Sequence, residues 1–255
     1  MERAVSKFQL SPPSLTSIND LRSQRKRQLA LGYRLFASFG WGDDGAGHIT
    51  ARDPEHADNL WVLRYGVTFG AATSDDMVMV DPSGRIVAGN DESGYNVTAF
   101  NIHHPIHNAR PDIISACHTH TGYGTPLSAL CEPLRMSSQE ACAFHHDQSV
   151  YLGENLDVTT PDGGIPIADS LADNKLLFMG NHGMLTVGST VASAVGFFVL
   201  AERAAEVQIK APSGRAVPDE AAGATYKSVG TEDNGWLVFE FLVRSRLGDP
   251  ASLCI

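Results

Sequence analysis

The constraint that most narrows the fold is an alternation of two hydrophobic periods along the chain. A helical stretch capped at Asn19 or Asp20 runs to about Phe39, with Leu29, Tyr33 and Phe36 at helical spacing. Gly40, Gly42, Gly45 and Gly47 break it into a loop. Strand-like runs follow at His48–Ala51, Leu60–Tyr65, Val67–Phe69 and Met77–Val80, and Asp81-Pro82-Ser83-Gly84 turns the last into a hairpin with Arg85–Val87. Helical character resumes over Tyr95–Ala109, and the β-rich Ile113–Cys117 predicts a buried strand. Helices are expected near Pro126–Leu130 and Ser138–His145, and strands at Lys175–Met179 and Met184–Val187 on either side of Gly180-Asn181-His182-Gly183. Two helices close the chain: Thr190–Ala211, whose apolar stripe includes Val191, Val195, Phe198 and Ala201, and a second around Trp236–Arg246. With no repeat or linker, this order predicts one layered domain, mixed α/β or α+β, over residues 21–255, preceded by a polar arm over residues 1–20 that carries Pro12 and Pro13.

Charge narrows the function. A net charge of −10 over 255 residues argues against a nucleic-acid partner. Residues 1–34 hold seven basic residues and two acids, so this stretch is +5 and the remainder −15 within a total of −10. Such a stretch reads as a solvated helix face or one docked on an acidic neighbour. No apolar run approaches the roughly 18 residues of a membrane span, and residues 1–20 lack the apolar core of a signal peptide. Cys117, Cys131, Cys142 and Cys254 form no CxxC pair, so a cytoplasmic location is expected, without a disulfide framework.

The ten histidines are the unusual count. Cys117-His118-Thr119-His120 falls at the end of a predicted strand, where side chains two apart share a face. His118 and His120 can then present two imidazoles to one point. A divalent ion needs a third ligand, and His182, in a glycine-flanked turn ending another predicted strand, is the best placed. Three protein ligands leave positions open for water or a small-molecule substrate, which is a catalytic rather than a structural arrangement.

Three elements in order carry a family resemblance. Gly47-His48-Ile49-Thr50-Ala51-Arg52-Asp53-Pro54, Ala109-Arg110-Pro111-Asp112 followed by His118-Thr119-His120-Thr121, and Leu177-Phe178-Met179-Gly180-Asn181-His182-Gly183 resemble signature elements of the class II aldolase/adducin superfamily. The agreement covers roughly residues 25–245 and sits closest to the adducin-like branch. L-fuculose-phosphate aldolase and L-ribulose-5-phosphate 4-epimerase share this scaffold. The resemblance implies a three-layer α/β/α fold with a central, mostly antiparallel sheet, and a homotetramer with active sites at subunit interfaces. It also implies that His118, His120 and His182 hold a divalent ion, Zn²⁺ first, with Mn²⁺ or Fe²⁺ as alternatives.

Two departures shape the functional expectation. Where the sugar-phosphate aldolases carry an acid/base glutamate, this chain has Ala99. One helical turn later stands His103, with His104 and His107 nearby, and His103 is the predicted replacement. Tyr123 is the second candidate for moving a proton. Where those enzymes grip phosphate with an asparagine, this chain has His48, which with Thr50 is a candidate for contacting substrate. A sugar phosphate is therefore not the expected substrate. His145-His146-Asp147 reads as an exposed helix end, and Tyr226 lies where relatives supply a tyrosine across the subunit interface. The expected activity is a metal-dependent carbon–carbon lyase, by retro-aldol cleavage or decarboxylation of a hydroxy-carbonyl or keto acid. The alternatives are a non-haem iron oxygenase or isomerase on the same histidines, and an adducin-like binding module without catalysis.

Overall fold

The structure is a computed structural model that describes residues 12–90, 92–153, 156–250 and 255. Residues 1–11 of the expected arm, and Cys254, lie outside the described residues. Within them the chain forms seven α-helices and one eight-stranded sheet. The strands are β1 (His48–Arg52), β2 (Leu60–Leu63), β3 (Met77–Val80), β4 (Ile86–Ala88), β5 (Ser115–Thr119), β6 (Gln148–Tyr151), β7 (Leu176–Met179) and β8 (Gly183–Gly188). The helices are α1 (Ile18–Ser38), α2 (Val97–Ala109), α3 (Gly124–Ala129), α4 (Pro161–Leu171), α5 (Val191–Lys210), α6 (Asp219–Val229) and α7 (Glu232–Arg246).

The strand order is β4-β3-β2-β1-β5-β8-β7-β6, and β6–β7 is the parallel pair in an otherwise antiparallel sheet. Period-two alternation divides the side chains between two cores. Along β7, Leu176 and Phe178 join the core under α1, α5 and α7, whereas Leu177 and Met179 join Ile102 and Ile106 of α2 and Ile167 and Leu171 of α4. The result is the expected three-layer α/β/α arrangement.

The predicted elements shift in instructive ways. Ser17 caps α1, its side chain accepting from Asp20 N at 3.5 Å, so the helix starts at Ile18, inside the expected arm. Its basic residues are docked rather than solvated. Arg22 pairs with Asp53 and Glu55, Arg25 donates to Arg52 O at 2.6 Å, and Arg34 donates to Ala72 O at 2.7 Å. Val67–Phe69 is not a strand; Phe69 opens a 3₁₀ turn and buries its ring. The strand expected at Ile113–Cys117 lies two residues later, as β5, which puts His118 inside the ladder. Ser138–His145 contributes only a 3₁₀ turn at Ala141–Phe144. Three elements were not predicted: β6, α4 and α6. β6 is a half-buried edge strand with polar Gln148 and Ser149. α4 contains Gly163, Gly164 and Pro166, which depress helix propensity; a Cβ on Gly164 would sit 2.0 Å from Asn101 O, so the glycine is what lets α4 press onto α2. α6 buries only Ala222, too little apolar pattern to read.

Candidate metal centre

β1 and β5 pair antiparallel with His48 directly opposite His118. Both side chains, with Thr50, point toward the α2 layer, because Ile49, Ala51 and Cys117 alternate into the opposite core. His120 follows two residues beyond His118, just past the end of β5, and His182 comes from the β7–β8 turn. One nitrogen of each of His118, His120 and His182 lies within 4.8 Å of the others. Ring centroids are 5.4 Å apart for His118–His120, 4.9 Å for His118–His182 and 5.0 Å for His120–His182.

Local backbone explains the convergence. Asn181 adopts the left-handed region at φ 58°, a conformation asparagine tolerates, and this reverses the chain tightly enough to aim His182 back. Gly183 then leaves room for two rings: a Cβ there would be 3.1 Å from His118 Cε1 and 3.2 Å from His120 Cδ2. His118 Nδ1 lies 2.9 Å from Met184 O, so Nδ1 carries the proton and donates it to that carbonyl, leaving Nε2 as a lone-pair donor. Burial, with neighbouring imidazoles adding to it, holds His118 well below the usual histidine range and brings His182 to about 4. Both are therefore neutral at pH 7, the form that binds metal. Neutral imidazoles, one with a fixed tautomer, around a space cleared by glycine are a donor set that fits a divalent ion of the Zn²⁺ type.

Beside this cluster runs a chain of buried polar groups. His48 Nδ1 and His103 Nε2 are 2.9 Å apart; His103 Nδ1 meets Thr50 Oγ1 at 2.8 Å, and Thr50 Oγ1 meets His107 Nε2 at 3.1 Å. His103 was the candidate for moving a proton and Thr50 for contacting substrate, and the structure buries both. His103 is fully buried with both nitrogens engaged, and Thr50 is buried beneath it. Burial pushes His48, His103 and His107 well below the usual histidine range. His48 is the member that approaches the cluster, its ring centroid 5.0 Å from that of His118. Ala99 is buried among Val62, Val78 and Phe100, so the glutamate's place is taken by apolar packing.

Tyr123 is also placed elsewhere. Its ring sits 5.0 Å beneath the Lys210 ammonium, where Lys210 pairs with Glu206. Asp147 turns away from His145 and His146 to accept from Tyr226 Oη at 2.6 Å and pair with Lys175 Nζ at 2.9 Å. The sequence reading missed Glu202. Buried on α5, its carboxylate accepts from Thr121 Oγ1 at 2.5 Å, Gly124 N at 2.7 Å and Tyr123 N at 3.0 Å, clamping the loop that follows His120. The available signal was an acid set among Leu200, Ala201, Ala204 and Ala205 in the Thr190–Ala211 helix. The signature charges are structural: Arg52 donates to the carbonyls of Ile113 and His107, and Asp53 accepts from Arg22, Trp61 Nε1 and the backbone of Glu55 and His56.

His48, and not His118, His120 or His182, also lines an open cavity of about 290 Å³ next to the cluster's neighbour strand β1. Tyr33, Val62, Leu63 and Phe69 give it an apolar wall, and Asp43 and Asp44 add acids. Arg64, the cation among its lining residues, is already paired with Asp76 at 2.8 Å.

Residues 27–209 match the family described as Class II Aldolase and Adducin N-terminal domain. The chain belongs to that family. The decarboxylase NovR of Streptomyces niveus is 36% identical over 94% of this chain and 90% of that protein. The 4-hydroxy-3-prenylphenylpyruvate oxygenase/4-hydroxy-3-prenylbenzoate synthase of Streptomyces roseochromogenus subsp. oscitans is 35% identical over 92% of this chain and 86% of that protein. Among solved structures, L-fuculose 1-phosphate aldolase from Glaciozyma antarctica PI12 superposes with a TM-score of 0.85 at 32% identity, covering 92% of this chain and 93% of that one. Class II aldolases generally use a divalent metal ion. No helix among the described residues is long and apolar enough to cross a membrane.

Proposed function

We propose that this chain is a metal-dependent enzyme that cleaves a carbon–carbon bond next to a carbonyl, by decarboxylation or retro-aldol cleavage of a small oxo or hydroxy acid. The observation that carries this reading is the convergence of three imidazoles, two of them held neutral by burial, within 4.8 Å. His118, His120 and His182 would hold the ion, with Zn²⁺ the first choice and Mn²⁺ or Fe²⁺ alternatives. When bound, such an ion polarises a carbonyl and stabilises the oxyanion left when the bond breaks.

The chain's own residues supply the rest. With Nδ1 engaged by His103, His48 keeps Nε2 for a substrate in the cavity and is the residue best placed to hold or move a proton there. His103 and Thr50 act behind it by fixing the ring of His48. The apolar wall and the pairing of Arg64 with Asp76 disfavour a phosphate ester and favour a substrate with an apolar body. The decarboxylase relative agrees with the bond type. The reading includes a homotetramer with sites at subunit interfaces and a cytoplasmic location.

A second reading, a non-haem iron oxygenase, is favoured by the relative named as an oxygenase and is compatible with imidazole donors, which suit Fe²⁺ as well as Zn²⁺. One experiment separates the readings. Purified protein is analysed for metal, reloaded with Zn²⁺, Mn²⁺ or Fe²⁺, and assayed against β-keto acids, hydroxy ketones and aryl 2-oxo acids with and without oxygen. Metal-dependent product that forms anaerobically and is lost in His118→Ala supports the lyase. A strict need for oxygen and iron supports the oxygenase. Absence of bound metal after reloading sinks both and leaves the adducin-like binding module.

A further inference from the structure

A second set of metal-type donors converges far along the chain from the first. His145 and His146 follow the 3₁₀ turn at Ala141–Phe144, and Asp219 is the first residue of α6. Nε2 of His145 lies 2.8 Å, and Nε2 of His146 3.4 Å, from the same oxygen, Asp219 Oδ1. The two rings are 4.0 Å apart at their centroids, and the three donor atoms lie within 4.8 Å of one another.

Two features of the backbone build this arrangement. Gly223 stands one helical turn after Asp219, and a Cβ there would be 3.3 Å from His145 Cε1, so a bare position on α6 admits the His145 ring against the helix. His146 takes a left-handed backbone at φ 53°. Side chains of consecutive residues ordinarily diverge; here both reach one carboxylate oxygen. Asp147, next in sequence, is withdrawn from the group by Tyr226 and Lys175.

We propose that His145, His146 and Asp219 form a second divalent-metal site, for an ion of the Zn²⁺ class, which fastens the start of α6 to the turn before β6. Two imidazoles and one carboxylate suit Zn²⁺, Co²⁺, Ni²⁺ or Cu²⁺, whereas Mg²⁺ and Ca²⁺ favour all-oxygen sets. With three protein ligands at the surface, a water completes the coordination. The role is structural. α6 buries only Ala222; the Tyr226–Asp147 hydrogen bond at 2.6 Å, the Lys175 ammonium over the Tyr226 ring and the packing of Val229 hold its far half, so an ion on Asp219 would add a tie at its start.

Calorimetric titration of metal-stripped, full-length protein with Zn²⁺ tests the site, with hydrogen exchange of residues 219–229 as a second readout. The wild type takes up two equivalents. His146→Asn, which tolerates the left-handed backbone, and Asp219→Asn each lose one equivalent, and an excess of Mg²⁺ does not restore it. His118→Ala loses the other. Zn²⁺ slows exchange of α6 in the wild type and in His118→Ala, but not in Asp219→Asn. A single equivalent that survives Asp219→Asn and disappears in His118→Ala overturns the proposal, as does exchange of α6 indifferent to Zn²⁺. A single equivalent lost in Asp219→Asn but kept in His118→Ala supports this site while overturning the metal reading of the first centre.

Discussion

His118, His120 and His182 lie beside His48, His103 and His107 across the β1–β5 pair, and both groups bring rings within a few ångströms. In the first group, the ring nitrogens converge on one space, and His118 Nδ1 is committed to a backbone carbonyl. In the second, His48 Nδ1, both nitrogens of His103 and His107 Nε2 are used on one another and on Thr50. Proximity therefore does not make a metal site. What separates a ligand from a strut is which nitrogen remains free and whether solvent reaches it.

Breaking the first group should have the largest effect. His182→Ala is expected to weaken metal binding by more than the roughly 10–100-fold typical of losing a group behind a ligand. Stoichiometric metal in that variant, measured by elemental analysis, would erase the difference between the two groups. Breaking the second group should instead cost stability. His103→Ala leaves His48 and Thr50 without their buried partner and opens a cavity, so unfolding free energy should fall by about 2–4 kcal/mol while metal stoichiometry holds. Chemical denaturation alongside metal analysis checks this; metal loss at unchanged stability would exchange the roles of the two groups.

Acid sharpens the contrast. The folded-state affinities of His103 and His107 for protons are depressed by burial, whereas in the unfolded chain they titrate near 6.5. Below about pH 6.5 the unfolded state binds more protons, so stability is at its full value above that pH and falls on acidification, by up to about 1.4 kcal/mol per pH unit for each histidine. His107→Gln should flatten the slope by one histidine's share in denaturation series between about pH 7.5 and 5; an unchanged slope would mean that His107 is not neutral in the fold. The smallest effect belongs to Thr50→Ser, which keeps the hydroxyl between His103 and His107 and should cost under about 1.5 kcal/mol, with metal binding intact.

The metal-type cluster was legible because its determinants are local. Alternation on a strand sets His118 with His120, and Gly180-Asn181-His182-Gly183 announces a tight turn. Its neighbours were not, because the roles of His103 and Thr50 depend on α2 crossing over β1, a contact between residues more than fifty apart. Helical spacing put His103 one turn from Ala99, yet nothing in that spacing reveals that both its nitrogens are engaged. Hydrophobic period alone pointed to one layered domain of mixed helices and strands; the three-layer order came from the family resemblance. α4 was hidden because the glycines that permit its close approach to α2 are the residues that argue against a helix.

Gly183 carries a consequence for reading related chains. His118 and His120 both pack closely against position 183, where a side chain would crowd them. A change to alanine would keep every histidine and yet press a methyl on both rings, which would have to give by a few tenths of an ångström. Within a family that spans enzymes and adducin-related proteins, a count of histidines is then an incomplete census of which members can act on a substrate. The identity of the residue after the third histidine has to be scored with them.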